Sequence, residues 1–432
     1  MFSKKGDYIM HYQSLKKIYY LNLSNFDKFE SIVNKRMSNE ATVNVGLKIH
    51  PFSHKLQERI SEREYNVFYV PNVEMELLAQ RIYSNSAVIA SKLKELPVNG
   101  KDLLFTSTLI KELQSTNDIE GVDSSEKELS TTMHYLKEEK NSKSKRRFKG
   151  LITQYQNIDS NKYNKITCTE DFRGIWDRLV KEEIDKKDYP DGELFREKNV
   201  EIGTGNKVVH VGDYDEEQIT ADLDDLIKVM DNDNLPKLVK CFIGHFYYEY
   251  VHPFYDGNGR TGRFITSSYL AQFLDPLSAI SFSSAIDANR KEYYDAFSDM
   301  EDKINYGEAT LFIMTMMNLL ISAQEKLLAE IIEDKVLLDE TRGIIYEKGI
   351  KEVIPHKVMS ALCQQYIFGN DLYHLTDNEL IKRLKISRYK LNQATDYLEK
   401  RNCIVQVGKA PKSHQITENI KRDLENKESC TS

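Results

Sequence analysis

Twelve residues, His252-Pro-Phe-Tyr-Asp-Gly-Asn-Gly-Arg-Thr-Gly-Arg263, constrain this chain more than any other stretch. They stand between two apolar runs of helical character, 238–251 and 264–274, so a tight connection must end one helix and begin the next. Asp256 offers the oxygen ligand that Mg²⁺ prefers. Gly257 and Gly259 flank Asn258 and allow positive φ, which lets successive backbone N–H groups converge on an anion. A helix beginning near Gly259 would add its free N–H groups and its dipole. Arg260 and Arg263 are three residues apart and are expected on one side of that helix, where guanidinium forks match phosphate oxygens. His252 is expected at the mouth of the site, titrating near neutral pH as a general base. Phe254 is expected to point inward and pin the loop.

This order of residues resembles the Fic family motif, H-x-F-x-(D/E)-G-N-G-R-x-x-R, matched at every defined position by His252, Phe254, Asp256, Gly257, Asn258, Gly259, Arg260 and Arg263. The resemblance covers roughly residues 75 to 325. It implies a mainly α fold: a Fic-type helical core with a β-hairpin flap, followed here by a C-terminal winged-helix-like domain. It implies transfer of AMP from ATP to a Ser, Thr or Tyr hydroxyl of a protein acceptor, the chain itself included. His252 would take the hydroxyl proton, and Asp256 would hold Mg²⁺, or Mn²⁺, on the α- and β-phosphates. The amide of Asn258 and the backbone of 257–259 would stabilise charge on the α-phosphate. Arg260 and Arg263 would hold the β- and γ-phosphates, with Thr261 and Gly262 in the same nucleotide-binding turn. Tyr293 and Tyr294 would line the adenine pocket. Family members often have an asparagine a few residues later; here Met300-Glu-Asp-Lys stands in that place.

A second family motif, (S/T)-x-x-x-E-(G/N), is matched by Thr116, Glu120 and Gly121. Thr116 and Glu120 are four apart and share a helix face, and Gly121 is suited to end that helix. The resemblance implies that Glu120 pairs with Arg263 and blocks the productive γ-phosphate position. An ionic hydrogen bond of that kind contributes ~1.5–3 kcal/mol, a tenfold to hundredfold restraint. In some relatives this glutamate positions a water for AMP removal. Two other readings stay open: a Fic-fold transferase with another nucleotide donor, and a DNA-binding regulator that uses the Fic site as a sensor.

Along the chain, residues 1–70 are the least informative, with short strands expected at 42–49 and 65–70. Helices are expected at 71–96, broken by Asn99-Gly100, then at 104–115 and 170–188. Two β-favouring runs around Gly203-Thr-Gly-Asn-Lys207 read as a hairpin. The resemblance makes Val208, Val209, His210 and Val211 the flap that clamps a target segment. His245 is expected to be a packed, satisfied histidine. The stretch 309–323 is apolar but too short for a bilayer, and reads as a buried helix continued by a charged connecting helix over 324–345. The basic run 137–149 reads as a solvated loop. Residues 375–407 read as helix, turn, helix and strand, locally basic, where DNA or a protein could bind. The implied divisions are 1–95, an N-terminal region of uncertain fold; 96–150, the inhibitory-helix region; 151–325, the catalytic core; 326–415, the connecting helix and winged-helix-like domain; and 416–432, a polar tail.

Composition narrows the classes. The chain has 432 residues, 40% hydrophobic and 29% charged, with a net charge of −7. That balance argues against a globally basic nucleic-acid coat. Five widely spaced cysteines without a CxxC pair indicate neither a zinc site nor a disulfide framework, and a cytoplasmic location is expected. The expected partners are ATP, a protein acceptor, DNA or protein at the C-terminal domain, and a second copy of the chain; no membrane is expected.

Overall fold

A computed structural model describes residues 12–137, 146–159, 165–204, 207–369, 374–409 and 411–428. Most of the basic run 137–149 and the hairpin tip lie outside the described residues. The chain is mainly helical, and its sheets among the described residues are all two-stranded. It divides into two contact units, one of residues 1–86, 115–122 and 144–323, the other of 87–114, 123–143 and 324–432.

The first unit opens with helices Leu15–Leu21 and Phe26–Met37 and an antiparallel pair, Val43–Ile49 with Tyr65–Tyr69. Val45, Leu47 and Ile49 are buried in alternation with exposed neighbours, the period of two expected of a half-buried strand. At its centre runs the Lys237–Val251 helix, buried on nearly all sides, which is why its sequence is apolar all round and shows no polar stripe. Its end is set by His252, a left-handed C-cap with φ +52°, and by Pro253, which cannot continue the helical ladder. The next helix, Asn258–Leu270, begins at Gly257 with φ +85°. A Cβ at Gly257 would lie 2.8 Å from Val180 Cγ2, so both backbone angle and space require glycine. Gly259 differs from expectation: it is helical, and its lack of a side chain makes room for the Glu120 carboxylate, 2.1 Å from where a Cβ would stand.

Two expectations on helix bounds are corrected. Asn99-Gly100 does not break the chain but lies in the first turn of a helix spanning Val98–Ile119. Gly100 is instead a packing residue, where a Cβ would be 3.0 Å from the Phe368 ring. The 170–188 helix stops at Leu179, leaving only a short 3₁₀ turn at Lys186–Asp188, and the freed segment carries Glu183 into the site. The expected buried helix and charged connector are one continuous helix, Thr310–Glu347, of 38 residues. By length and composition it could cross a membrane, but Phe312, Ile313, Met316, Met317 and Leu320 are buried within the protein.

In the second unit, helices Asp377–Leu384 and Arg388–Lys400 are followed by the antiparallel pair Ile404–Lys409 and Lys412–Ile416. The first of these helices has a reciprocal capping box between Thr376 and Glu379. Leu380, Leu391, Ala394 and Leu398 are buried beneath them.

Candidate active site

His252 is fixed by its backbone before its ring does anything. A non-glycine residue in the left-handed region costs of order 1 kcal/mol, so its neighbours must hold it there. Arg196, fully buried, does so. Its Nε donates to the His252 carbonyl at 2.8 Å and its Nη2 to the Val251 carbonyl at 3.2 Å, while Nη1 donates to the carbonyls of Lys198 and Asp213, each at 2.6 Å. A second buried arginine, Arg59, meets the Asp213 carboxylate at 2.7 Å and the Val211 carbonyl at 2.6 Å. Two cations thus tie the helix end at Val251 and His252 to the neighbouring chain at Lys198, Val211 and Asp213.

The imidazole Nδ1 of His252 is 3.3 Å from the Glu249 carbonyl, which can only accept. Nδ1 therefore carries the hydrogen, and Nε2 keeps a free lone pair. Burial pushes the ring down to about 3, with the neighbouring His210 and Arg196 charges acting in the same direction. The expectation of titration near neutral pH is corrected: the His252 imidazole is neutral throughout the physiological range.

The motif loop is held from beneath. Phe254 is fully buried and stacks on Trp176 with ring centroids 4.9 Å apart, while Trp176 Nε1 donates to the Asp256 carbonyl at 2.9 Å. Such a stack adds ~0.5–1.5 kcal/mol beyond burial itself. Asn258 accepts from the Phe254 N–H at 2.9 Å and donates to the Phe254 carbonyl at 2.6 Å. Its side chain thus clamps the loop. The first helical bond of the motif helix runs from the Thr261 N–H to the Gly257 carbonyl, so the amides of 258–260 precede the ladder. Gly262 faces the preceding helix, where a Cβ would be 2.2 Å from Glu249 Oε1.

Arg260 and Arg263 meet different carboxylates. Arg263 Nη2 meets Glu120 Oε1 at 2.8 Å, and the same guanidinium reaches the Thr116 hydroxyl at 2.9 Å and the Thr116 carbonyl at 3.1 Å. Gly121, at φ +67°, ends that helix beside them. Arg260 Nη1 instead meets Glu183 Oε2 at 2.9 Å, and Glu183 also accepts from the Phe148 N–H at 3.0 Å. Burial pushes the Glu183 carboxyl up to about 7 against the pull of Arg260.

A cleft of about 720 Å³ is lined by His252, Arg263, Glu120, Gly259, Tyr293 and Tyr294, with the flap residues Val209 and His210 along one side. That volume suits a small-molecule ligand. Tyr293 is buried and its hydroxyl meets His245 Nε2 at 2.8 Å, whereas Tyr294 is half exposed. His245 is thus packed, as expected, but only its Nε2 is bonded; Nδ1 is buried without a hydrogen-bond partner. Val208 to Val211 form the second strand of the hairpin Glu201–Thr204 and Lys207–Val211; Val209 faces out and His210 is turned inward. Asp256 is exposed, and no group of three or more metal-ligating side chains occurs among the described residues. One exposed carboxylate fits a Mg²⁺ ion that arrives with substrate phosphates, not a resident metal in a protein cage.

The Fic/DOC family model matches residues 166–270, which bracket the 252–263 motif. The chain carries a Fic domain. Among solved structures it is similar to a Fic family protein from Desulfovibrio desulfuricans G20, at 17% identity over 81% of this chain and 98% of that one, with a TM-score of 0.49. It is also similar to a Fic-domain signaling protein from Bacteroides thetaiotaomicron VPI-5482, at 15% identity over 58% and 96%, with a TM-score of 0.39. A form of Fic-1 from C. elegans gives 15% identity over 59% and 73%, with a TM-score of 0.38. Fic domains are generally transferases, AMP transfer among their reactions.

Several residues of this Fic site gave no sequence signal: Arg196, Arg59, Glu183 and Glu301 all come from outside the motif. Glu249 was reachable, three residues before His252 on the apolar helix, where a lone carboxylate is out of place. Its Oε1 is buried without a hydrogen-bond partner, and burial pushes its carboxyl up to about 8.

Proposed function

We propose that this Fic domain is a self-restrained protein adenylyltransferase that moves AMP from ATP to a Ser, Thr or Tyr hydroxyl of a protein. One observation carries the reading: the free Nε2 of His252 and the guanidinium of Arg263 border the same cleft, and Glu120 already occupies that guanidinium. In the proposed step the acceptor hydroxyl attacks the α-phosphorus and gives its proton to His252 Nε2. The bond from the α-phosphorus to the bridging oxygen breaks, and pyrophosphate leaves. Being neutral at physiological pH, His252 needs no prior deprotonation. The amides at the start of the motif helix face developing charge on the α-phosphate, and Arg263 orients the leaving group once Glu120 withdraws. A bound Mg²⁺, held by Asp256, would neutralise phosphate charge.

The test is label transfer from α-³²P-ATP set against γ-³²P-ATP. Label reaching protein from the α position alone supports adenylyl transfer; label from the γ position makes the chain a phosphotransferase instead. His252→Ala is expected to lower AMP transfer by about 10²-fold or more while ATP binding persists, since the ring acts on the acceptor proton. Near wild-type transfer in that variant would remove the general base. Asp256→Ala is expected to abolish the Mg²⁺ dependence of transfer together with activity, read as rate against added Mg²⁺.

A further inference from the structure

His210 belongs to the flap strand, yet its side chain is used inward. Nδ1 lies 2.7 Å from Glu301 Oε2, and Nε2 lies 2.9 Å from the Tyr250 carbonyl. Both ring nitrogens face acceptors, and the residue is only 9% exposed. A neutral imidazole has one N–H and could satisfy one of them. With both nitrogens donating, the ring is an imidazolium and Glu301 is its counter-ion. Glu301 closes the last turn of the Arg290–Glu301 helix and lines the cleft, in the stretch where an asparagine was expected from the family pattern. Asn305, the next asparagine, is turned away and bonded to the carbonyls of Met300 and Glu308. The His210 ring centroid is 6.3 Å from that of His252.

We propose that His210 and Glu301 form a positioning dyad for the base: the imidazolium holds the flap strand to the helix end beside His252 and keeps His252 unprotonated. This rests on the reading of His252 as the base. Three elements meet in the dyad. The flap supplies His210, the helix carrying Tyr293 and Tyr294 supplies Glu301, and the base-bearing helix supplies the Tyr250 carbonyl. The carbonyl is shared with Arg59, whose Nη2 is 3.4 Å away. The charged and titratable groups around the two rings are therefore Glu301, Arg59 and Asp213, Tyr250 and Glu249 on the base-bearing helix, Arg196, and His54 at the far side of the cleft. Of these, Arg196 and His210 are the cations that act on His252. Arg196 is spent on four carbonyls, whereas His210 is held by the Glu301 carboxylate.

The experiment is ¹⁵N–¹H NMR of the histidine rings in the full chain without nucleotide. At neutral pH, His210 is expected to show two ring N–H groups with imidazolium nitrogen shifts, and His252 a single Nδ1–H. In His210→Gln, which retains a polar bridge without charge, the protonation midpoint of His252 is expected to rise by about one pH unit or more, the size of a unit charge at that separation in a partly screened site. Glu301→Gln keeps the ring but removes its anion. His210 then loses its second N–H signal at neutral pH, and the amides of Val209 and Val211 exchange at least about tenfold faster. A neutral His210 in the wild type, or an unmoved His252 midpoint in a folded His210→Gln protein, would overturn the dyad. Neither readout needs catalysis. If the dyad signals appear and no variant or wild type transfers AMP, the adenylyltransferase reading fails alone; if transfer occurs and His210 is neutral, the dyad fails alone.

Discussion

Arg260 and Arg263 lie about one turn apart on the motif helix, both are almost fully buried, and each meets a glutamate at nearly the same distance, 2.9 Å to Glu183 and 2.8 Å to Glu120. The carboxylates differ. Glu183 has 7% of its side chain exposed and is also bound to the Phe148 N–H, whereas Glu120 is 28% exposed and sits at a helix end closed by Gly121. Arg263 opens on the cleft and Arg260 does not. Two pairs that look alike as ion pairs therefore have different uses: one is built into the core, and the other stands at an edge from which it can be withdrawn. The physical difference is the desolvation of the acid. A carboxylate that has lost water and gained a backbone donor has nowhere to go, while one with a solvated side can exchange its arginine for water and leave the fork to a phosphate.

That contrast can be broken from either side. The largest expected effect is from Glu183→Ala, which leaves a buried guanidinium without its anion and should cost about 3–5 kcal/mol of stability, read as the denaturant midpoint. AMP transfer should not rise. A gain of activity in that variant would make Glu183 a second latch and erase the distinction. Next is Glu120→Gly, expected to raise AMP transfer, self-modification included, by about tenfold or more, because an ionic hydrogen bond of ~1.5–3 kcal/mol no longer competes for Arg263. Stability should fall by less than in Glu183→Ala, because the Arg263 guanidinium keeps the Thr116 hydroxyl and carbonyl as partners. Arg263→Ala should lower transfer, and the double variant should resemble it, as releasing the block is useless without the guanidinium. Equal rates for wild type and Glu120→Gly at saturating ATP would reduce Thr116 to Gly121 to an ordinary helix end.

The same pair can be read through pH. The Glu183 carboxyl is raised from 4.5 to about 7, so its folded form prefers the proton. The stability this contributes is fully present below about 4.5 and is lost as pH rises through about 7. Wild type should therefore lose about 3 kcal/mol relative to Glu183→Gln between pH 4.5 and pH 8, measured by parallel denaturation curves. Parallel curves with a constant gap would show that the acid is ionised throughout.

Much of the candidate site was legible because its chemistry is local. A histidine before proline, an aspartate, a glycine-flanked asparagine and two arginines within twelve residues can be read without knowing where the rest of the chain goes. The hairpin, the strands near 43–49 and 65–69 and the helix ending at His252 were equally readable, since each is stated by its own periodicity and turn residues. Asn258 shows the limit of such reading. Its residue type fits a phosphate contact and a loop clamp equally well, and only the positions of the Phe254 N–H and carbonyl choose the clamp. Gly259 repeats the lesson: glycine was needed there, for the approach of Glu120 and not for positive φ.

By itself the sequence determined the order of reactive groups, the helix–loop–helix that carries them and the presence of a second motif containing Glu120. These depend on neighbours within a few residues, whose spacing and backbone preferences act in any context. The tertiary structure alone decided which charge meets which. Glu183 is 77 residues from Arg260, Glu120 is 143 from Arg263, and Glu301 is 91 from His210. It also decided that the His252 ring is neutral, because loss of water and the approach of His210 and Arg196 depress its proton affinity. Desolvation and long-range charge are properties of packing, and no periodicity along the chain encodes them.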